Sequence, residues 1–77
     1  MTTTTRQIRY AKILGNQIRA LRKARGLTQA ELAFRANMNV TYVGDVERAN
    51  ENISISKLIL LADALEVPLS ELLNSLD

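Results

Sequence analysis

The sequence has no cysteine, no histidine and no tryptophan among its 77 residues. Without cysteine the chain has no disulfide bridges, thiolate metal sites or thiol nucleophiles. Without histidine it lacks the commonest general base and the commonest metal ligand. We therefore expect no enzymatic activity, no metal or other cofactor and no small-molecule ligand. The stability of so small a domain has to come from an apolar core, helped by association with a second copy of the chain.

Long apolar runs are also missing, since none reaches the roughly 18 residues that a membrane span requires. The threonines at positions 2–5 are not followed by the apolar stretch of a signal peptide. We expect a cytoplasmic protein, associated with the nucleoid if it binds DNA. The composition predicts a disordered N-terminus over residues 1–5 and a single domain over residues 6–77.

Acidic residues are missing from positions 1–25, which carry seven of the ten basic residues. The net charge is only +2 because all eight acidic residues follow. One end of the domain should therefore be strongly positive, which suits a polyanionic partner such as nucleic acid. A solvated helix face explains the same pattern without any partner, so charge alone leaves both interpretations open.

Apolar residues recur at helical spacing in five blocks, whereas the alternation typical of strands is nearly absent. The first block runs from about residue 5 to Arg25, and Gly26 is a typical residue for ending it. Its apolar face comprises Ile8, Ala11, Leu14, Ile18 and Leu21. The opposite, polar face comprises Arg9, Lys12, Asn16, Arg19 and Lys23. This pattern predicts an amphipathic helix that packs one face against the core.

The second block begins with a capping box, in which the side chains of Thr28 and Glu31 each cover a free backbone N–H group. Leu27 and Leu32 stand where a hydrophobic staple needs them. The predicted helix ends near residues 35–36. Asn37 can then take the left-handed conformation of a tight turn.

A third helix is predicted to begin after Asn39, to turn Val43 and Val46 inward and to end near residues 48–49. Two short helices separated by a tight turn are the architecture of a helix-turn-helix, here at about residues 28–48. In such a unit the second helix protrudes, and the first braces it against the DNA backbone.

The last two blocks predict a fourth helix that starts at Ser54 or Ser56 and a short fifth helix after Pro68. The fifth helix is too short to bury all of its leucines, so we expect them to form a dimer interface. Ordinary core packing is the alternative. These residues are Leu69, Leu72, Leu73 and Leu76.

Four segments carry a resemblance to a known family: IRALR at 18–22, GLTQAELA at 26–33, YVGDVER at 42–48 and LADALEVP at 61–68. In this order and spacing they resemble the lambda-repressor-like family of Cro/repressor or XRE-type regulators. The resemblance extends over residues 8–74. It implies an all-α fold of five helices in which the third is the recognition helix for double-stranded DNA.

The resemblance also implies which side chains contact DNA. Base edges would be contacted by Val40, Thr41 and Asp45. Thr41 and Asp45 are one turn apart and share a face. A threonine can bond a base and meet a thymine methyl group, and an aspartate can accept from cytosine N4. Alternatively Asp45 points away, because phosphates repel it.

The expected phosphate contacts lie around the recognition helix. Gln29 is at the start of the second helix, where free N–H groups favour anions. Tyr42 either contacts a phosphate or packs in the core. The full set is Arg22, Thr28, Gln29, Tyr42, Arg48, Asn50, Asn52 and Lys57. The resemblance further implies a structural salt bridge between Arg22 and Glu47.

The sequence departs from the family pattern at three positions. Asn37 and Ala49 stand where glycine is usual, and Glu51 stands where many members have a basic residue. Asparagine tolerates the left-handed conformation, whereas Ala49 leaves the path after the third helix open.

The sequence thus predicts a homodimeric transcriptional regulator that binds a palindromic operator. Its size and layout resemble the controller proteins of restriction-modification systems, or a small phage or plasmid repressor. RNA polymerase is a further candidate partner. One alternative is the antitoxin of a toxin–antitoxin pair, which would carry a toxin-binding tail. The other is a protein-interaction module without DNA binding, for which the acidic Asp45 would be a sign.

Overall fold

The computed structural model describes residues 4–74 and Leu76. Within residues 4–74 the chain forms five α-helices and no strand. They are α1 (Thr5–Ala24), α2 (Gln29–Arg35), α3 (Val40–Glu47), α4 (Ile55–Leu65) and α5 (Leu69–Leu72). The prediction of an all-α, five-helix domain is confirmed.

The N-terminal boundary needs a correction, because Thr4 and Thr5 belong to the folded domain. The Thr4 Oγ1 atom accepts from the backbone N–H of Gln7 at 3.1 Å, and the Gln7 Oε1 atom accepts from the backbone N–H of Thr4 at 2.8 Å. This capping box satisfies two of the free donors at the start of α1. The rest of the predicted disordered segment, residues 1–3, lies outside the described residues.

Helices α2, α3 and α4 also begin at side chains that accept a backbone hydrogen bond, whereas α5 begins after Pro68 without one. Thr28 and Glu31 form the predicted capping box of α2, with distances of 2.8 and 3.0 Å. Asn39 caps α3 through the backbone N–H of Thr41. Ser54 rather than Ser56 caps α4, because its hydroxyl accepts from the N–H of Lys57.

The first four helices share one way of ending. Each is followed by a residue with positive φ: Gly26 (69°), Asn37 (56°), Ala49 (64°) and Glu66 (58°). The N–H of the next residue then reaches the carbonyl five positions back, as between Asn50 and Asp45 at 2.8 Å. The prediction for Asn37 is confirmed, and Ala49 follows the path of the glycine that is usual in the family.

The core lies where α1 packs against α3, α4 and α5, and where α2 packs on both α3 and α4. Val43 and Val46 point inward as predicted. Ile8 does not, since 44% of it is exposed. It faces an open groove whose opposite wall is the polar loop at residues 49–52. The largest fully buried side chains are Ile18, Leu32, Leu61, Leu65, Leu72 and Val43.

At Gly15, helix α1 lies directly against the backbone of the last turn of α3. A Cβ atom at Gly15 would stand 2.5 Å from the carbonyl oxygen of Val46 and 2.9 Å from that of Glu47. Because those atoms are backbone, they cannot move aside as a side chain could. The absence of a side chain at Gly15 therefore allows α3 to pack directly against α1.

No helix between residues 4 and 74 is long and apolar enough to cross a membrane. The described residues also bring together no group of three or more side chains that could hold a metal ion.

Candidate nucleic-acid interface

The outward face of α3 forms the centre of the candidate interface. Thr41 is exposed, and 44% of Val40 is exposed although it is apolar. These residues line a shallow depression together with Gly44, Arg48 and Gln29 of α2. The structure therefore brings Val40 and Thr41 together with two of the predicted phosphate contacts on one accessible surface.

Asp45 borders this surface but is bound to another side chain. Its Oδ1 atom accepts from Nη2 of Arg48 at 2.8 Å, and the pair is one helical turn apart. About a third of the Asp45 side chain is exposed (33%), against 57% for Arg48. An isolated carboxylate that accepts from a base is therefore not what α3 presents; it presents an arginine–aspartate pair.

A buried ion pair fastens the inner side of α3 to α1. Arg22 and Glu47 are 9% and 8% exposed. Their side chains meet through two hydrogen bonds, Nε to Oε2 at 2.7 Å and Nη2 to Oε1 at 3.0 Å. The salt bridge that the resemblance implies is thus present, in the bidentate geometry that arginine and carboxylate favour.

Two further bonds extend this pair into a network between three helices. Nη1 of Arg22 donates to the carbonyl of Leu27 at 2.8 Å, and Nε2 of Gln29 donates to Oε1 of Glu47 at 3.1 Å. Burial raises the pKa of Glu47, but the bonds from Arg22 and Gln29 and the charges of Arg22 and Arg19 outweigh it, so the pKa lies below its ordinary value. Glu47 is therefore held as a carboxylate.

This network engages two residues that the sequence predicts as phosphate contacts, Arg22 and Gln29. The three donor atoms that Arg22 directs at Glu47 and Leu27, together with its burial, favour a structural role for it over a phosphate contact. Gln29 is half-buried, and its amide is oriented by Glu47. Thr28 is exposed next to it and is engaged in the cap of α2.

Tyr42 of α3 lies beside Lys57 of α4, and its position is compatible with both predicted roles, core packing and phosphate contact. Its ring packs against the core and is half-buried, while the Lys57 ammonium group of α4 lies 5.8 Å from the ring centroid. Burial first, and the negative charge of Glu51 second, raise the pKa of its hydroxyl. Tyr42 therefore stays a neutral hydroxyl at physiological pH and can donate a hydrogen bond.

The loop after α3 carries the remaining predicted phosphate contacts. Asn50 and Asn52 are both exposed. The backbone N–H of Asn50 is bound to the carbonyl of Asp45 at 2.8 Å, which fastens the start of the loop to α3. The loop is thus positioned directly by the end of the recognition helix.

The leucines that the sequence assigns to a dimer interface are buried to different degrees. Leu72 is 1% exposed and belongs to the core, because it lies on the inner side of α5. Leu69 and Leu73 pack against the core and are half-buried, as is Leu76. Only partly exposed leucine surface remains on this helix.

Sequence reasoning missed an exposed apolar face on α4. Ile55, Ile59 and Leu60 are 58%, 44% and 40% exposed. The spacing of the core leucines in α4 marks the buried face, and these three residues lie off it. They could have been found by asking which large apolar residues of α4 the core face leaves out.

Comparisons with known proteins agree with this geometry. A family profile described as "Helix-turn-helix" (HTH_3) matches residues 18–72. The control protein C.SmaI of Serratia marcescens is 39% identical over 63 residues, which are 82% of this chain and 75% of that protein. The immunity repressor of Bacillus phage phi105 is 42% identical over 61 residues. That match covers 79% of this chain but only 42% of the repressor's length.

Solved structures match most of the chain. The restriction-modification controller protein C.AhdI from Aeromonas hydrophila superposes with a TM-score of 0.80 at 40% sequence identity, covering 80% of this chain and 94% of that chain. The controller protein C.Esp1396I gives a TM-score of 0.75 at 32% identity, covering 77% of each chain. With its lambda-repressor-like fold, the chain therefore belongs to the HTH_3 helix-turn-helix family and is a DNA-binding, non-enzymatic transcriptional regulator.

Proposed function

We propose that two copies of this chain bind a palindromic operator, each inserting α3 into the major groove of one half-site. The observation that carries the proposal is the division of α3 into two faces. Its inner face is fastened to α1 and α2 by Arg22, Gln29 and Glu47, and its outer face is open. A helix anchored on one side and accessible on the other is what groove insertion requires.

The outer face supplies groups suited to both parts of a DNA contact. Val40 and Thr41 are positioned to meet base edges, where a threonine methyl and an apolar side chain recognise thymine methyl groups. The candidate phosphate contacts are Tyr42 of α3 itself and, around that helix, Thr28, Gln29, Asn50, Asn52 and Lys57. Contacts of that second kind set the register of the protein on the duplex but do not read its sequence.

The dimer is proposed to form mainly through the exposed face of α4. Ile55 and Ile59 are one turn apart and share one face of α4. Leu60, the residue after Ile59, is exposed beside that face. Exposed apolar clusters of this kind usually mark association surfaces. The half-buried Leu69 and Leu73 of α5 can border such an interface, whereas Leu72 belongs to the core. A two-fold dimer would present its recognition helices about 34 Å apart, one turn of DNA.

We further propose that the regulator acts as a controller protein of a restriction-modification system, in the cytoplasm and with RNA polymerase as a partner. The likeness to C.SmaI and to C.AhdI, which covers most of both chains, supports this assignment. The phage repressor is the alternative that the similarity to the phi105 protein favours. A neighbouring endonuclease and methyltransferase gene pair would support the first, and a prophage context the second.

The dimer is tested by replacing Ile59 with lysine and measuring sedimentation equilibrium and duplex affinity. The duplex is one selected by the wild-type protein from a random pool. We expect Ile59→Lys to be monomeric and to lose about 100-fold or more in affinity for a two-half-site duplex, because avidity is lost. Ile8→Lys is the matched control, since Ile8 is also 44% exposed but lies on α1. A dimeric Ile59→Lys, or a wild-type protein that binds DNA as a monomer, would overturn the proposal.

A further inference from the structure

Arg48 holds its guanidinium group over the surface of α3 instead of extending it into solvent. A Cβ atom at Gly44 would stand 3.0 and 3.2 Å from Nη1 and Nη2 of Arg48 and 3.4 Å from Cζ. The guanidinium plane therefore lies against the glycine backbone. Gly44 has no positive φ that would require a glycine, so the space that it leaves is used by the arginine.

Asp45 fastens this guanidinium group from one side. Its Oδ1 atom takes one hydrogen bond from Nη2, and among the described residues no other side chain bonds Arg48. Further N–H donors of the fork thus remain for an external acceptor. Together Gly44 and Asp45 hold a forked donor in the same depression as Thr41 and Val40.

The charge of this pair argues for a base edge rather than a phosphate as the target. A carboxylate 2.8 Å from the guanidinium repels any phosphate that the arginine would approach. The O6 and N7 atoms of guanine are uncharged acceptors that match the fork of an arginine, and cytosine N4 is a donor that matches the carboxylate. An arginine–aspartate pair is therefore complementary to a guanine with a cytosine next to it or opposite it.

We propose that Arg48, which sequence reasoning assigns to a phosphate, is the guanine-reading residue of this regulator, with Gly44 and Asp45 as positioning residues. The inference rests on the proposed insertion of α3 into the major groove. Asp45 has a second effect, because it masks the arginine's charge from the phosphates of unrelated DNA. Asp45 thereby lowers the affinity for unrelated DNA and makes binding depend more on the guanine that Arg48 contacts.

The test is selection of duplexes from one random pool by the full-length wild type, Arg48→Ala, Arg48→Lys and Gly44→Ala, followed by affinity measurements on single-base variants. We expect the wild-type motif to contain a guanine in each half-site that all three variants lose, with about 10-fold less discrimination at that position and the remaining motif retained. Lysine keeps the charge but lacks the fork. Gly44→Ala keeps the arginine and displaces only the flexible end of its side chain.

Asp45→Asn gives an effect of the opposite kind. We expect it to raise affinity for unrelated duplex DNA and to steepen the dependence on salt concentration, because the arginine's charge is unmasked. For Arg48→Ala the matched control is Arg25→Ala. Arg25 likewise pairs with a carboxylate, that of Glu66 at 3.6 Å, but it lies outside the depression. We expect Arg25→Ala to leave the selected motif unchanged.

Two results would overturn the proposal, and they can be told apart. If Arg48→Ala keeps the motif but weakens binding to all duplexes equally, with a salt slope lower by about 0.9, then Arg48 contacts a phosphate and groove insertion still stands. If the folded wild type selects no motif at all, the proposed function fails and this inference fails with it.

Discussion

Glu47 links α3 to both α1 and α2. Its carboxylate is buried, but it accepts from Arg22 of α1 and from Gln29 of α2 while belonging to α3. One acid thus joins the three helices that build the DNA-binding unit. Removing one partner of a buried ion pair costs about 3–5 kcal/mol, because the other charge is left without compensation.

The network makes stability depend on pH in a defined window. The pKa of Glu47 lies below its ordinary value of about 4.5. A lowered pKa means that the carboxylate stabilises the fold fully above the ordinary value, and that this contribution is lost as pH falls through the lowered value. At neutral pH we expect Glu47→Gln to be less stable than the wild type by about 3 kcal/mol, and we expect the difference to shrink below about pH 4.

Chemical denaturation between pH 7 and pH 3 measures this difference directly. Glu66→Gln is the control, since the Glu66 side chain is 70% exposed and its pair with Arg25 spans 3.6 Å. An exposed pair of that kind contributes about 0–1 kcal/mol. Parallel stability curves for wild type and Glu47→Gln across the whole pH range would contradict the role given to Glu47.

At the scale of the element, the helical glycines Gly15 and Gly44 differ in what an added methyl group would contact. An added methyl group at Gly15 would meet the backbone carbonyls of α3 at 2.5 and 2.9 Å, whereas one at Gly44 would meet only the movable end of Arg48. We expect Gly15→Ala to destabilise the domain by about 1–3 kcal/mol through overpacking. Gly44→Ala should be neutral or stabilising by up to about 1 kcal/mol, because alanine is the better helix former.

Thermal unfolding of the two variants under identical conditions checks this contrast. Each is the other's control, since both exchange glycine for alanine within a helix. Gly15→Ala should also weaken DNA binding to all sequences, because α3 is displaced from its seat. Equal melting temperatures for the two variants would show that α1 and α3 do not depend on the close approach at Gly15.

Helix boundaries could be predicted because they depend on neighbours in the sequence. The capping boxes at Thr28 and the turn at Asn37 rest on hydrogen bonds within a few residues, which a linear pattern can contain. The choice between Ser54 and Ser56 could not be made, because either serine can cap a helix. The capping box at Thr4 was overlooked among the repeated threonines.

Features that depend on contacts between helices could not be predicted. Nothing near Gly15 in the sequence indicates that another helix lies against it. Leu72 shares the leucine pattern of α5, and only the packing shows that it is core. The ion pair between Asp45 and Arg48 is predictable from the sequence, since the two residues are one turn apart. The family resemblance, however, implies a separate DNA contact for each of them.

For the molecule as a whole, the uneven charge has a structural meaning. The basic face of α1 is exposed as predicted, and this helix is packed against α3. Arg19 lies near enough to Glu47 to lower its pKa, so positive charge reaches the neighbourhood of the recognition helix. We expect such a positive surface beside α3 to steer the protein toward DNA and to speed association.

The central claim is that α3 enters the major groove, and methylation interference tests it most directly. The N7 atom of guanine lies in the major groove, and the N3 atom of adenine lies in the minor groove. A duplex selected by the wild-type protein is methylated sparsely at both atoms, and the bound and free fractions are compared. We expect methylation of guanine N7 within each half-site to block binding, and methylation of adenine N3 there to leave binding unchanged. Interference confined to adenine N3, or binding that is insensitive in both grooves, would contradict it.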